Sequence, residues 1–111
     1  MLIYKILLPS EWAELESQGA FDGSPLDRKS GFIHCSSRQQ VVATAARFFS
    51  DEPHLVIAAL DTERLVSEVR WEATPDGPTF PHVYGRLPHR AVADVHLVAG
   101  ASAVEAALGD L

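Results

Sequence analysis

The run HLVIAAL at positions 54–60 sets the first limit on the fold. Six successive apolar residues, with Val56 and Ile57 β-branched and with Pro53 and Asp61 at the flanks, are too few for a buried helix. They fit a nearly continuous buried strand. Such a strand needs neighbours to pair with it and layers to cover it, so the rest of the chain is read for both.

Leu2–Leu7 is a short apolar run with β-branched and aromatic residues and reads as a strand that Pro9 stops. Ser10 is a candidate helix N-cap, with Glu11 and Glu14 near the positive end of the helix dipole. Trp12 and Leu15 share a helix face, and Gly19 suits the left-handed position that ends a helix. Residues 20–30, AFDGSPLDRKS, are turn-rich and are expected to form a surface loop. GFIHCS (31–36) follows as a second strand. Ser37 and Gln40 have capping-box spacing, and Val41, Val42, Ala45, Ala46, Phe48 and Phe49 form an apolar stripe at helical period, ended by residues 51–53. Asp61 caps a single helical turn before a strand at 69–73. Pro75, Asp76, Gly77 and Pro78 mark a turn, residues 80–84 are extended, and Val92–Val98 is a last strand. The Ala-rich tail, 99–111, has the composition of a final helical turn. The sum is one α+β domain over 1–111, with five or six short strands and two main helices.

Composition removes several classes of function. Nine Lys and Arg against fifteen Asp and Glu leave a formal net charge of −6, and the arginines are scattered, so a general nucleic-acid-binding surface is not expected. No apolar run reaches the roughly 20 residues a membrane helix needs. The N-terminal stretch is short, is interrupted by Lys5 and lacks a small-residue cleavage site, so no secretory signal is read. A single cysteine, Cys35, allows no internal disulfide. A cytosolic protein is the expectation.

Three segments alternate in the same way. On a strand, residues i and i+2 share a face. His34 and Ser36 therefore face one way with Phe32, Arg70 and Glu72 form a second pair, and His82 and Tyr84 form a third with Phe80. The opposite faces carry Ile33 and Cys35, then Val69, Trp71 and Ala73, then Val83. Solvent-facing strand positions are ordinarily Thr, Lys, Glu or Ser. Aromatic walls with a few convergent polar groups instead describe a pocket for a small molecule. Gly31 and Gly85 flank two of the segments and would permit close approach. Taken singly, each residue has a plainer reading: His34 satisfied at the core edge, Arg70 and Glu72 as a surface ion pair, Tyr84 as a lid on the core. Three pairs together favour a site. Cys35 alternates away from His34 and reads as a buried apolar side chain. No metal-ligand spacing, dinucleotide fingerprint, phosphate-binding loop or nucleophile elbow is present, although His34 and His82 leave a zinc site conceivable.

IYKI at positions 3–6, the Trp12 helix, SPLD at 24–27, GFIHCS, the Ala-rich helix with Arg47 and Phe48, RWE at 70–72 and FPHVYG at 80–85 together resemble the bacterial family known as domain of unknown function 952. The resemblance covers residues 2–98. It implies a compact relative of the ADP-ribosyltransferase fold, in which a split β-sheet holds NAD in a central cleft. By that resemblance His34 would bond a ribose, with Ser36 beside it. Tyr84 would stack on nicotinamide, and Arg70 or His82 would meet phosphate or ribose. The late-strand glutamate of that fold has no counterpart in Val92–Val98, where Asp94 is the acid, and Glu72 precedes Tyr84.

The leading expectation is a site for NAD or a related nucleotide with N-glycosidic chemistry. His34 and Glu72 would be the catalytic pair, and Ser36, Arg70, His82 and Tyr84 the binding residues, with no metal. The alternatives are a metabolite-binding module without turnover and, behind it, a histidine-based metal hydrolase.

Overall fold

The computed structural model describes residues 1–75 and 77–109. Among them run β1 (Leu2–Leu7), α1 (Pro9–Gln18), β2 (Ala20–Phe21), α2 (Pro25–Ser30), β3 (Ile33–His34), α3 (Arg38–Phe48), β4 (Leu55–Asp61), β5 (Glu68–Ala73), β6 (Thr79–Tyr84), β7 (Leu87–Pro88), β8 (Val92–Val98) and α4 (Val104–Leu108). The strands pair antiparallel in three sheets, ordered β1-β4-β8, β3-β6-β5 and β2-β7. The arrangement is α+β. Its eight strands and four α-helices exceed the five or six strands and two main helices expected, because short elements lie in segments that read as loop. The turn expected at 75–78 includes Asp76, which lies outside the described residues, as do Asp110 and Leu111 at the end of the tail.

β4 is the spine. It pairs with β1 on one side and β8 on the other, and Leu55, Val56, Ile57, Ala58, Ala59 and Leu60 are all buried. Its odd positions, Leu55, Ile57 and Ala59, pack with Tyr4, Ile6, Val41, Ala45 and Val104, the layer supplied by α3 and α4. Its even positions, Val56, Ala58 and Leu60, pack with Ile3, Leu7, Leu15, Phe21, Ile33 and Val83, the layer supplied by α1 and the second sheet. Full burial of such a side chain stabilises by about 1.5–3 kcal/mol, so the two layers carry most of the hydrophobic gain.

Several local readings are corrected. Pro9 opens α1 instead of closing the strand. Leu8, not Ser10, is the N-cap, and its backbone N–H donates to Glu11 Oε1 at 2.8 Å. Proline suits the first helical position because its missing N–H has no partner there anyway. The loop expected over 20–30 contains β2 and α2; Ser24 Oγ accepts from the Asp27 N–H at 3.2 Å and Asp27 Oδ2 accepts from the Ser24 N–H at 2.9 Å. Gly31 ends α2 in the left-handed region (φ +88°) and faces open space, whereas a side chain at Gly85 would collide with Ser67. In α3, Val41 and Ala45 are buried but Ala46 is exposed and Phe48 is 65% exposed. Trp71 is 41% exposed on the edge strand β5 and does not join the core.

GFIHCS is a strand for two residues only. Ile33 and His34 pair with Val83 and His82, and then Ser36 turns to Tyr4, exchanging backbone hydrogen bonds of 2.8 Å in both directions. The segment thus passes from the second sheet to the first. No helix among the described residues is long and apolar enough to cross a membrane.

Candidate functional site

The site begins with a lysine on a strand whose neighbours are apolar. Lys5 shares its face of β1 with Ile3 and Leu7 and is 5% exposed. A buried ammonium is costly unless it is paired and fully bonded. Lys5 Nζ donates to Asp27 Oδ2 at 3.0 Å and to the His34 carbonyl at 2.9 Å. Asp27 is itself buried, and its Oδ1 accepts from the His34 backbone N–H at 3.0 Å and lies 2.7 Å from His34 Nδ1. Burial opposes ionisation of Asp27, but the His34 hydrogen bonds, the Lys5 charge and the Ser24 N–H outweigh it and hold the carboxyl well below its ordinary range. Gly23 makes the seat possible, since a Cβ there would stand 2.8 Å from Asp27 Cβ.

An ionised carboxylate only accepts, so the 2.7 Å contact places a proton on His34 Nδ1. In the neutral ring, Nε2 then carries a lone pair. His82 repeats the device on β6: its Nδ1 lies 2.7 Å from Glu72 Oε1, which also accepts from the Tyr84 hydroxyl at 2.7 Å. Those two hydrogen bonds, Tyr84 first, hold the Glu72 carboxyl below its ordinary value, and the same bond raises the Tyr84 hydroxyl. The two imidazoles stand edge to face, 5.5 Å between centroids, and Phe32 stacks on His82 at 4.0 Å and contacts His34 at 4.6 Å.

Both histidines open on a cleft of about 500 Å³, walled by Tyr4, Leu26, Phe48, Phe49 and Phe80. Of the six residues singled out from sequence, His34, Ser36 and His82 line it. Ser36 Oγ, beyond the end of β3, donates to Thr44 Oγ1 at 3.2 Å. Glu72 and Tyr84 do not line the cleft and reach it through His82. Arg70 sits opposite His82 across the β5–β6 pair, but its guanidinium lies 4.2 Å over the Tyr84 ring and donates to Glu68 at 2.9 Å. Lys5 and Asp27 were not singled out. A lysine at a strand position flanked by buried residues on both sides, and a Ser-x-x-Asp cap in SPLD, were the signals that pointed to them.

Cys35 is buried on the apolar side as read, and burial pushes its thiol up to about 12, so it is inert at neutral pH. Among the described residues no group of three or more His, Cys, Asp or Glu is placed to hold a metal ion.

A split antiparallel α+β scaffold with a carboxylate-braced histidine pair in an apolar cleft is the class of protein these features define. The chain belongs to the family described as Protein of unknown function (DUF952), which it matches over residues 6–95. Protein CC0527 from Caulobacter crescentus, in its crystal structure, is 40% identical, with 87% of this chain and 85% of that one covered and a TM-score of 0.81. The solution NMR structure of the same protein gives 41% identity, 85% and 81% coverage and a TM-score of 0.74. No curated protein matches the chain at a significant level.

Proposed function

We propose that the cleft binds a nucleotide of the NAD type and that His34 and His82 are its working groups. The observation that supports this best is the pair of imidazoles, each braced at Nδ1 by a carboxylate and each turned toward an apolar cleft of ligand size. Two three-stranded antiparallel sheets joined at Tyr4 and Ser36 support the analogy with the split sheet of the ADP-ribosyltransferase fold. The corresponding reaction is cleavage of the N-glycosidic bond. Water bonds to the anomeric carbon, the bond to the base breaks with its electron pair leaving on the base nitrogen, and the water proton passes to an imidazole Nε2. His34 orients the ribose hydroxyls, Ser36 adds an acceptor, and Glu72 places negative charge behind His82, where it favours a developing oxocarbenium ion.

The test is a two-dimensional NMR titration with NAD, nicotinamide and ADP-ribose, followed by an assay for released nicotinamide. Shifts gathered at His34, Ser36 and His82, and lost in His34→Ala, are expected. Silence at millimolar ligand would sink the reading. One observation favours binding without turnover: Glu72 Oε1 is already committed to both His82 and Tyr84. Binding that survives Glu72→Gln with no nicotinamide released by either protein would establish that second reading.

A further inference from the structure

We infer that the cleft receives the nucleoside end of its ligand, base and ribose, and leaves phosphate groups in solvent. This rests on the nucleotide reading above and narrows it.

Phosphate is held in proteins by cations or by convergent N–H donors. Among the described residues lining this cleft, Lys5 is the one Lys or Arg, and its ammonium is spent on Asp27 Oδ2 and the His34 carbonyl in a buried setting. Drawing it away would strip Asp27 of its partner. Arg70, the cross-strand neighbour of His82, is turned onto Tyr84 and Glu68 and lies outside the lining. The remaining charged lining groups, Glu11 and Asp27, are acidic, and Glu72 stands directly behind His82.

The imidazoles point the same way. With Nδ1–H given to a carboxylate, each ring in its neutral form offers a lone pair at Nε2, and a lone pair accepts a hydroxyl proton but repels a phosphate oxygen. Two acceptors on rings 5.5 Å apart suit the two hydroxyl donors of a ribose. Tyr4, Phe49 and Phe80 supply flat apolar surface for a base, and Phe48, 65% exposed, extends that surface toward the rim. A pyridinium base is favoured further, because its positive charge is attracted to the aromatic faces that line the cleft. The ligand class is therefore a neutral or cationic nucleoside, either free or as one end of a dinucleotide whose phosphates stay in water.

The experiment compares matched pairs on the wild-type chain by NMR titration: nicotinamide riboside against nicotinamide mononucleotide, and adenosine against AMP, with NAD alongside. Each nucleoside is expected to shift His34 and His82 and to bind within about threefold of its phosphorylated partner, with little response to added salt. A built phosphate contact would instead tighten the phosphorylated partner by about tenfold or more. That result, at the same resonances, would overturn the inference and leave the nucleotide reading standing. No shift with any of the five ligands would overturn both.

Discussion

Asp27 shows how much one side chain is asked to do. Its two oxygens accept from the Lys5 ammonium, the Ser24 and His34 backbone N–H groups and the His34 ring, so it ties α2, β1 and β3 together and sets the tautomer of a cleft histidine. In Asp27→Asn the buried ammonium of Lys5 loses its counter-charge, and a loss of about 3–5 kcal/mol in unfolding free energy by urea titration is expected. The same carboxylate makes stability depend on acid. Its folded value lies below the ordinary 3.8, so the unfolded chain binds the proton more readily. The stabilisation is complete at pH values well above 3.8 and is lost progressively as pH falls below that value toward the folded one. Wild-type unfolding free energy should drop over that acid range, and Asp27→Asn should show a shallower slope there. A parallel slope in the two proteins would mean that another carboxylate carries the acid response.

At the scale of elements, α2 is the piece whose formation the site depends on. It has six residues, too few to be stable alone, and is held by Pro25 in the first turn, the reciprocal Ser24 and Asp27 cap, and Gly31 at its end. Ser24→Ala removes the acceptor for the Asp27 N–H and should cost about 0.5–2 kcal/mol, read from chemical denaturation, and it should broaden the His34 ring resonances because the turn that carries Asp27 is held less firmly. An unchanged His34 spectrum would show that the Lys5 ammonium and the Ser24 and His34 N–H groups hold Asp27 in place without the hydroxyl. The longer elements were legible because each carries its signal within a few residues: the apolar run of β4, the Ser37 and Gln40 cap of α3, Gly19 after α1. α2 was hidden in SPLD, whose proline and serine serve turns as readily as helix starts. β2 and β7 are two residues each and pair only with one another across the chain, which no local pattern records, while β3 lies inside GFIHCS, which reads as a strand but a longer one. The i, i+2 alternation correctly paired Arg70 with Glu72 and His82 with Tyr84 on one side of the second sheet. It could not foresee that Ser36 would leave that sheet for Tyr4, or that a lysine in an apolar strand and an aspartate in a presumed loop would meet behind His34.

On the scale of the molecule, the two larger sheets are unequal partners. The first is built on a strand paired along both edges and covered on both faces. The second has β6 at its centre, with only two residues of β3 on one side and the exposed edge strand β5 on the other. Backbone amides exchange with solvent through whichever opening is cheapest, and openings that expose little apolar surface cost least. The Val56, Ile57 and Ala58 amides belong to a strand whose release would expose both core layers, so they should exchange only on global unfolding. The β5 amides rest on a single partner strand and on one partly buried anchor, Val69, and should open well below that free energy. β6 stands between these limits, and it carries His82. A ligand seated against His34 and His82 binds the closed arrangement and not the opened one, so it should slow exchange in β5 and β6 by mass action while leaving β4 governed by global unfolding. Hydrogen exchange followed by NMR, with and without saturating ligand, reads all of this in one experiment. Equal protection of β4 and β5 in the free protein would show instead that the two sheets unfold as one unit, and that the cleft between them is as rigid as the core.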